Sequence, residues 1–158
     1  LSKLKIIGDV MNIFKKIVML PVGLALGLVG CSSGSSKTYV LTTTSFGYDP
    51  SYRPYIVRVN GEEVGGGFGA ATKRSAIITG PQYITWGQTN IRKQHVAKNV
   101  PYLTKEDLEG KSYLAVHLYP DDRVEITLTE GRNMPDATKM GLEVRSKLID
   151  ELNESDKK

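Results

Sequence analysis

The chain has 158 residues, a formal net charge of +4 and a single cysteine, Cys31. One cysteine excludes an intrachain disulfide, so the fold must be held by its core. Four lysines (Lys3, Lys5, Lys15, Lys16) and one aspartate, Asp9, put three of the four net charges in the first thirty residues. The remainder stands at +1, too little for the basic footprint of a nucleic-acid binder, and no nucleic-acid partner is expected.

In chain order, Leu1 to Val10 fit no recognisable element and read as an upstream extension, with Met11 the better start. Residues 11–30 have the order of a signal peptide: Lys15 and Lys16, an uncharged, mostly apolar run from Ile17 to Val29, then the small Gly30. That run is shorter than the roughly 20 residues needed to span a bilayer. Residues 31–37, Cys31 followed by Ser-Ser-Gly-Ser-Ser-Lys, read as a flexible polar tether. Residues 38–158 remain for one β-rich domain, a suitable length for a single core.

Within that domain, Thr38 to Phe46 is β-branched and aromatic and predicts a strand. Gly47 to Pro54 predicts a loop, and Tyr55 to Val64 a strand entering a turn at Asn60-Gly61. Two further strands are predicted around Arg74–Gly80 and Gln82–Gly87, with Ile84 and Trp86 facing the core. Gly87 to Gly110 gives a poor reading, with a basic stretch from Asn90 to Asn99 and one helical turn capped by Thr104. Ser112 to Gly131 alternates on both sides of Pro120-Asp121-Asp122 and predicts an antiparallel hairpin with one buried face. That alternation places His117 on the polar face. Met140, Val144, Leu148 and Leu152 mark the apolar stripe of a helix from about Asp136 to about Asn153, expected to pack on one sheet face. The expected fold is α+β: a mostly antiparallel β-sheet or sandwich of about six strands with one C-terminal amphipathic helix.

No catalytic pattern emerges. Gly65 to Gly69 lacks the Gly-Lys-Ser/Thr ending of a phosphate loop and the Gly-x-Gly-x-x-Gly spacing of a dinucleotide site. It reads as a wide hairpin loop or bulge, or as a flexible or protruding contact loop with Phe68 as its only large side chain. The two histidines, His95 and His117, form no metal-binding spacing, and no Gly-x-Ser-x-Gly elbow exists. Neither an enzyme activity nor a cofactor is expected. Tyr48, Tyr52, Arg53, Phe68 and Arg92 are loop-borne aromatic and arginine side chains of the kind that anchor protein interfaces, and are the candidate partner-binding residues.

Two resemblances sharpen this. Leu28-Val29-Gly30-Cys31 resembles a bacterial lipobox. It implies that Cys31 is lipidated and becomes the mature N-terminus, anchoring the domain in the periplasm; Ser32 after it favours the outer membrane. The lipobox, Val59-Asn60-Gly61, the cluster Gly65 to Gly69, Pro81 before a Trp-ending strand and the terminal hairpin together resemble the lipase immunity lipoproteins of type VI secretion systems. That resemblance implies a protein that binds and inhibits a phospholipase effector delivered into the periplasm. The alternative is a structural or assembly lipoprotein of the outer membrane that binds envelope proteins.

Overall fold

The computed structural model describes residues 35–157. The signal-like segment, Cys31 and the upstream extension lie outside them. Ser35 to Lys37 are exposed and irregular. The domain is α+β with ten strands: β1 (Thr38–Gly47), β2 (Pro54–Val59), β3 (Glu62–Glu63), β4 (Lys73–Ile78), β5 (Gly80–Pro81), β6 (Ile84–Gln88), β7 (Lys93–Val96), β8 (Tyr102–Leu103), β9 (Lys111–Leu118) and β10 (Val124–Glu130). A short helix α1 (Lys105–Leu108) precedes β9, and α2 (Lys139–Ser155) ends the chain. The six expected strands are present. The four additional ones, β3, β5, β7 and β8, are two to four residues long, too short to show a periodicity.

The strands form a four-stranded sheet of order β10-β9-β1-β4, a second of order β3-β2-β6-β7, and the small pair β5-β8. All pairings are antiparallel except one: β1 runs parallel to β9, Thr42 opposite Tyr113 through Gly47 opposite Leu118. Asn60 and Gly61, with φ of 50° and 82°, make the tight turn between β2 and β3, as their types require. Thr104 caps α1 in a reciprocal box with Asp107.

The two large sheets bury a common core. Leu41, Ile77, Leu114, Val116 and Leu118 from one meet Val57, Val59, Ile84 and Trp86 from the other, closed by Leu103 and Leu108. The expected choice between sheet and sandwich therefore resolves as a sandwich. At β7 the two sheets are stapled by polar bonds: Asn99 bonds both the N–H and the C=O of Val124, and the His95 ring bonds Asp122.

Two expectations are corrected. The hairpin was expected to bury one face, but β9 is buried on both. Phe46, Tyr48, Ala115 and Tyr119 form a second cluster on the far face of the β1/β9 sheet, and His117 is fully buried among them. The helix begins at Lys139 under an N-cap from Thr138, later than Pro135 and Asp136 suggested. It docks through Gly141, its one buried residue, while Met140 and Leu152 of the expected stripe stay exposed. A glycine gives the closest approach, so the contact forms where the apolar pattern has a gap. Among the described residues no helix is long and apolar enough to cross a membrane.

Candidate functional site

The glycine loop after β3 lies flat across the end of β1. Three consecutive β1 residues hold it: Thr43 Oγ1 accepts the Gly65 N–H (3.3 Å), Thr44 Oγ1 donates to Ala71 O (3.0 Å), and Ser45 O accepts the Gly69 N–H (3.1 Å). Only glycine fits at position 65, where a Cβ would lie 2.4 Å from Ala71 O and 2.5 Å from Thr43 O. Thus the loop is a fixed platform, and it holds Phe68 outward at φ 56°, between two positive-φ glycines, with the residue 41% exposed. A bulky residue in that region is strained, and the strain is held by the surrounding bonds. Edge-on contacts with Phe46 (5.3 Å) and Tyr48 (5.9 Å) support the ring from below.

Beside Phe68 opens a cleft of about 550 Å³, floored by Ser45 and Gly47 and walled by Pro50, Tyr52, Arg53, Pro54 and Arg145. The Arg145 guanidinium lies over the Phe68 ring at 5.2 Å. Pro54, Tyr55, Ile56 and Gly67 carry the cleft into two shallower depressions of about 330 and 280 Å³. The last of these contains Arg58, Arg92 and Lys93. Ile56 forms the ridge between them at a β2 irregularity, exposed and with φ of 47°. For a β-branched residue this is a true outlier.

The five candidates therefore divide. Tyr52, Arg53 and Phe68 line one cleft, and Arg92 stands at the far end of the same run of depressions. Tyr48 is not a surface group: it is fully buried beneath Phe68, and burial raises its phenol pKa. Aromatic type in a loop suggested exposure, but Tyr48 lies at the last turn of the sheet's second buried face. Cys31 lies outside the described residues. Arg145 escaped the sequence reading. Its signal was placement four residues after Gly141, on the side of α2 that docks, with no acidic residue at the i±3 or i±4 positions.

Two buried histidines lie under this surface, each with two aromatic rings nearly parallel to its own: Phe46 (5.2 Å) and Tyr48 (5.9 Å) beside His117, and Tyr52 (5.2 Å) and Trp86 (5.1 Å) beside His95. Tyr48 Oη accepts the Thr138 N–H at 2.8 Å and lies 2.8 Å from His117 Nδ1. The pattern that satisfies every atom has the phenol donating to Nδ1 and Nε2–H donating to Thr127 Oγ1 at 2.8 Å. Burial pushes the His117 pKa down to about 4, so the ring is neutral at pH 7. With its proton on Nε2, the ring cannot take one from Thr127 as a general base would. Beside it, the Tyr119 hydroxyl donates to Glu125 at 2.9 Å, and burial pushes that phenol up to about 12. His95 bonds Asp122 (2.7 Å) and Gln88 (2.9 Å), and the Trp86 indole N–H donates to Tyr52 Oη at 3.0 Å. Among the described residues no group of three or more His, Cys, Asp or Glu side chains is placed to hold a metal ion.

The cleft thus combines one strained, half-exposed aromatic on a fixed loop, two guanidinium groups and a tyrosine wall. No family model, curated protein or solved structure matches the chain.

Proposed function

We propose that this chain is a lipid-anchored periplasmic protein that binds and inhibits a type VI secretion phospholipase effector. The observation that carries the binding role is Phe68, held out at positive φ over a cleft flanked by Arg53 and Arg145. Strain retained at an exposed aromatic serves contact rather than stability. Direction supports a protein ligand over the membrane. The tether enters at Thr38 and the cleft opens beyond Gly47, the two ends of the ten-residue β1, about 30 Å apart. Self-protection calls for a dissociation constant on the order of nanomolar or better, about −12 kcal/mol.

The test is capture. The full chain, affinity-tagged and extracted from its own membranes, is used to isolate partners from its organism's lysate. A phospholipase recovered in stoichiometric amount and inactive while bound is the expected result. Resident envelope proteins alone, with the lipase shown to be present in the lysate, would replace this reading with that of a structural lipoprotein.

A further inference from the structure

The cleft carries a charge that nothing in the described residues neutralises. No acidic side chain lines it, and neither Arg53 nor Arg145 lies within ion-pair distance of a carboxylate among the described residues. The nearest acid in the wall loop, Asp49, is occupied by the Ser51 N–H and hydroxyl. The Arg145 guanidinium carbon lies over the Phe68 ring, 5.2 Å from its centroid, and the planar group carries its N–H donors along its edges. An edge of that kind matches the two oxygens of a carboxylate. The second cationic depression, with Arg58, Arg92 and Lys93, likewise has no acidic lining residue.

Resting on the binding role proposed above, we infer that the cleft receives an acidic segment of the partner protein. An Asp or Glu carboxylate sits between Arg145 and Arg53, and an adjoining apolar side chain packs on the exposed part of Phe68 and on Tyr52. A second acidic residue further along the segment meets Arg92 or Lys93 beyond the Ile56 ridge. A protein segment suits this surface better than a lipid headgroup, because the cleft is at the end of β1 remote from the tether. It also offers apolar and cationic groups along a groove rather than one flat basic face, and the acid along that groove, Glu63 in the middle depression, is paired with Lys73 at 3.4 Å.

The probe is a fluorescein-labelled, end-blocked peptide Leu-Asp-Leu-Glu-Leu, with its Asn/Gln counterpart as control, titrated by anisotropy against the full chain in phosphatidylcholine nanodiscs. The acidic peptide should bind about tenfold or more tighter than the amide control, as a charge-assisted bidentate bond requires. Arg53→Gln and Arg145→Gln should each remove most of that ratio. Phe68→Ala should weaken both peptides. Arg53 is exposed, so its variant tests the site even where Arg145→Gln disturbs the helix contact. Absence of saturable binding, equal affinity for the two peptides, or an acidic preference that survives both arginine changes would overturn the inference. So would phosphatidylglycerol vesicles binding more tightly than the peptide and losing that binding in the same variants, which would assign the site to a headgroup. The two levels separate. Capture of a phospholipase that the Arg53→Gln/Arg145→Gln protein retains equally removes the cleft assignment alone. Peptide binding without lipase capture removes the immunity reading and leaves an acidic partner of another kind.

Discussion

Gly141 lies against the ring of Tyr48: a Cβ added there would sit 2.2 Å from Tyr48 Cζ. The Tyr48 hydroxyl accepts the N–H of Thr138, whose own hydroxyl caps α2 by accepting the Gly141 N–H. One buried tyrosine at the end of β1 thus sets where the helix begins and how closely it approaches. Since Arg145 is one turn further on, the same contact fixes the guanidinium over Phe68.

Gly141→Ala should therefore destabilise the protein, although alanine is the better helix former by about 1 kcal/mol. Overlap with an aromatic ring that is itself pinned by three bonds outweighs this, for a net loss of about 1–3 kcal/mol. Chemical denaturation measures it. A gain in stability, the usual result in an exposed helix, would show that the ring moves freely and that the docking is loose.

His117 makes stability depend on pH in a definite direction. Its folded-state pKa, about 4, is below the ordinary histidine value of 6.5 because burial disfavours the charged ring. The unfolded chain thus binds more protons between these values. The contribution of neutral His117 is complete above about pH 6.5 and is lost progressively as the pH falls to about 4. The change is on the order of 3 kcal/mol across that window. Urea midpoints of wild type and His117→Gln, compared from pH 7.5 to 4, should converge as the pH falls. Parallel curves would mean that the ring titrates alike in both states.

The second stacked histidine is a test of packing. His95 packs against both Tyr52 and Trp86 and ties β7 to the β9–β10 turn through Asp122. His95→Ala removes the ring from that stack and leaves Asp122 and Gln88 without their partner, a loss of about 2–4 kcal/mol. Trp86 is the only tryptophan and is buried, so its emission reports the change directly. The native spectrum should shift to longer wavelength in the variant and the denaturation midpoint should fall. An unchanged midpoint would show that the stack is decorative.

These residues also show why parts of the molecule were legible and others not. The β9–β10 hairpin, the Asn60-Gly61 turn and the Thr104 cap are local devices, each encoded within a few residues. Pairing of β1 with β9 joins residues about 70 positions apart, and no local pattern announces it. The consequence is that β9 becomes a central strand covered on both faces, so alternation assigned His117 to a solvent face that does not exist. The short β7 was hidden in a basic stretch, because only His95 in it points inward. For the site, residue chemistry selected Tyr52, Arg53 and Phe68, which do share one cleft, and it equally selected Tyr48, which lies beneath it. Arg145 comes to the cleft from the C-terminal helix, brought there by the contacts of Thr138 and Gly141 with Tyr48.

Phe68 gives the sharpest separation of stability from binding. Its backbone is in the left-handed region, which costs an L-residue with a side chain about 1–2 kcal/mol relative to glycine. Its ring contacts Phe46, Tyr48 and Arg145. Phe68→Ala keeps the strain and loses the ring contacts; Phe68→Gly loses the same contacts but releases the strain. The glycine variant should be more stable than the alanine variant by about 1 kcal/mol or more, reversing the usual order for a non-turn position. Both should lose partner capture alike, because in the proposed binding role the exposed ring is the contact and the backbone only presents it. Thermal or urea denaturation ranks the two variants, and capture efficiency at equal concentration ranks their function. Alanine equal to or above glycine in stability would mean that the loop relaxes when the ring is removed. Retained capture in both variants would place the contact surface elsewhere on the domain.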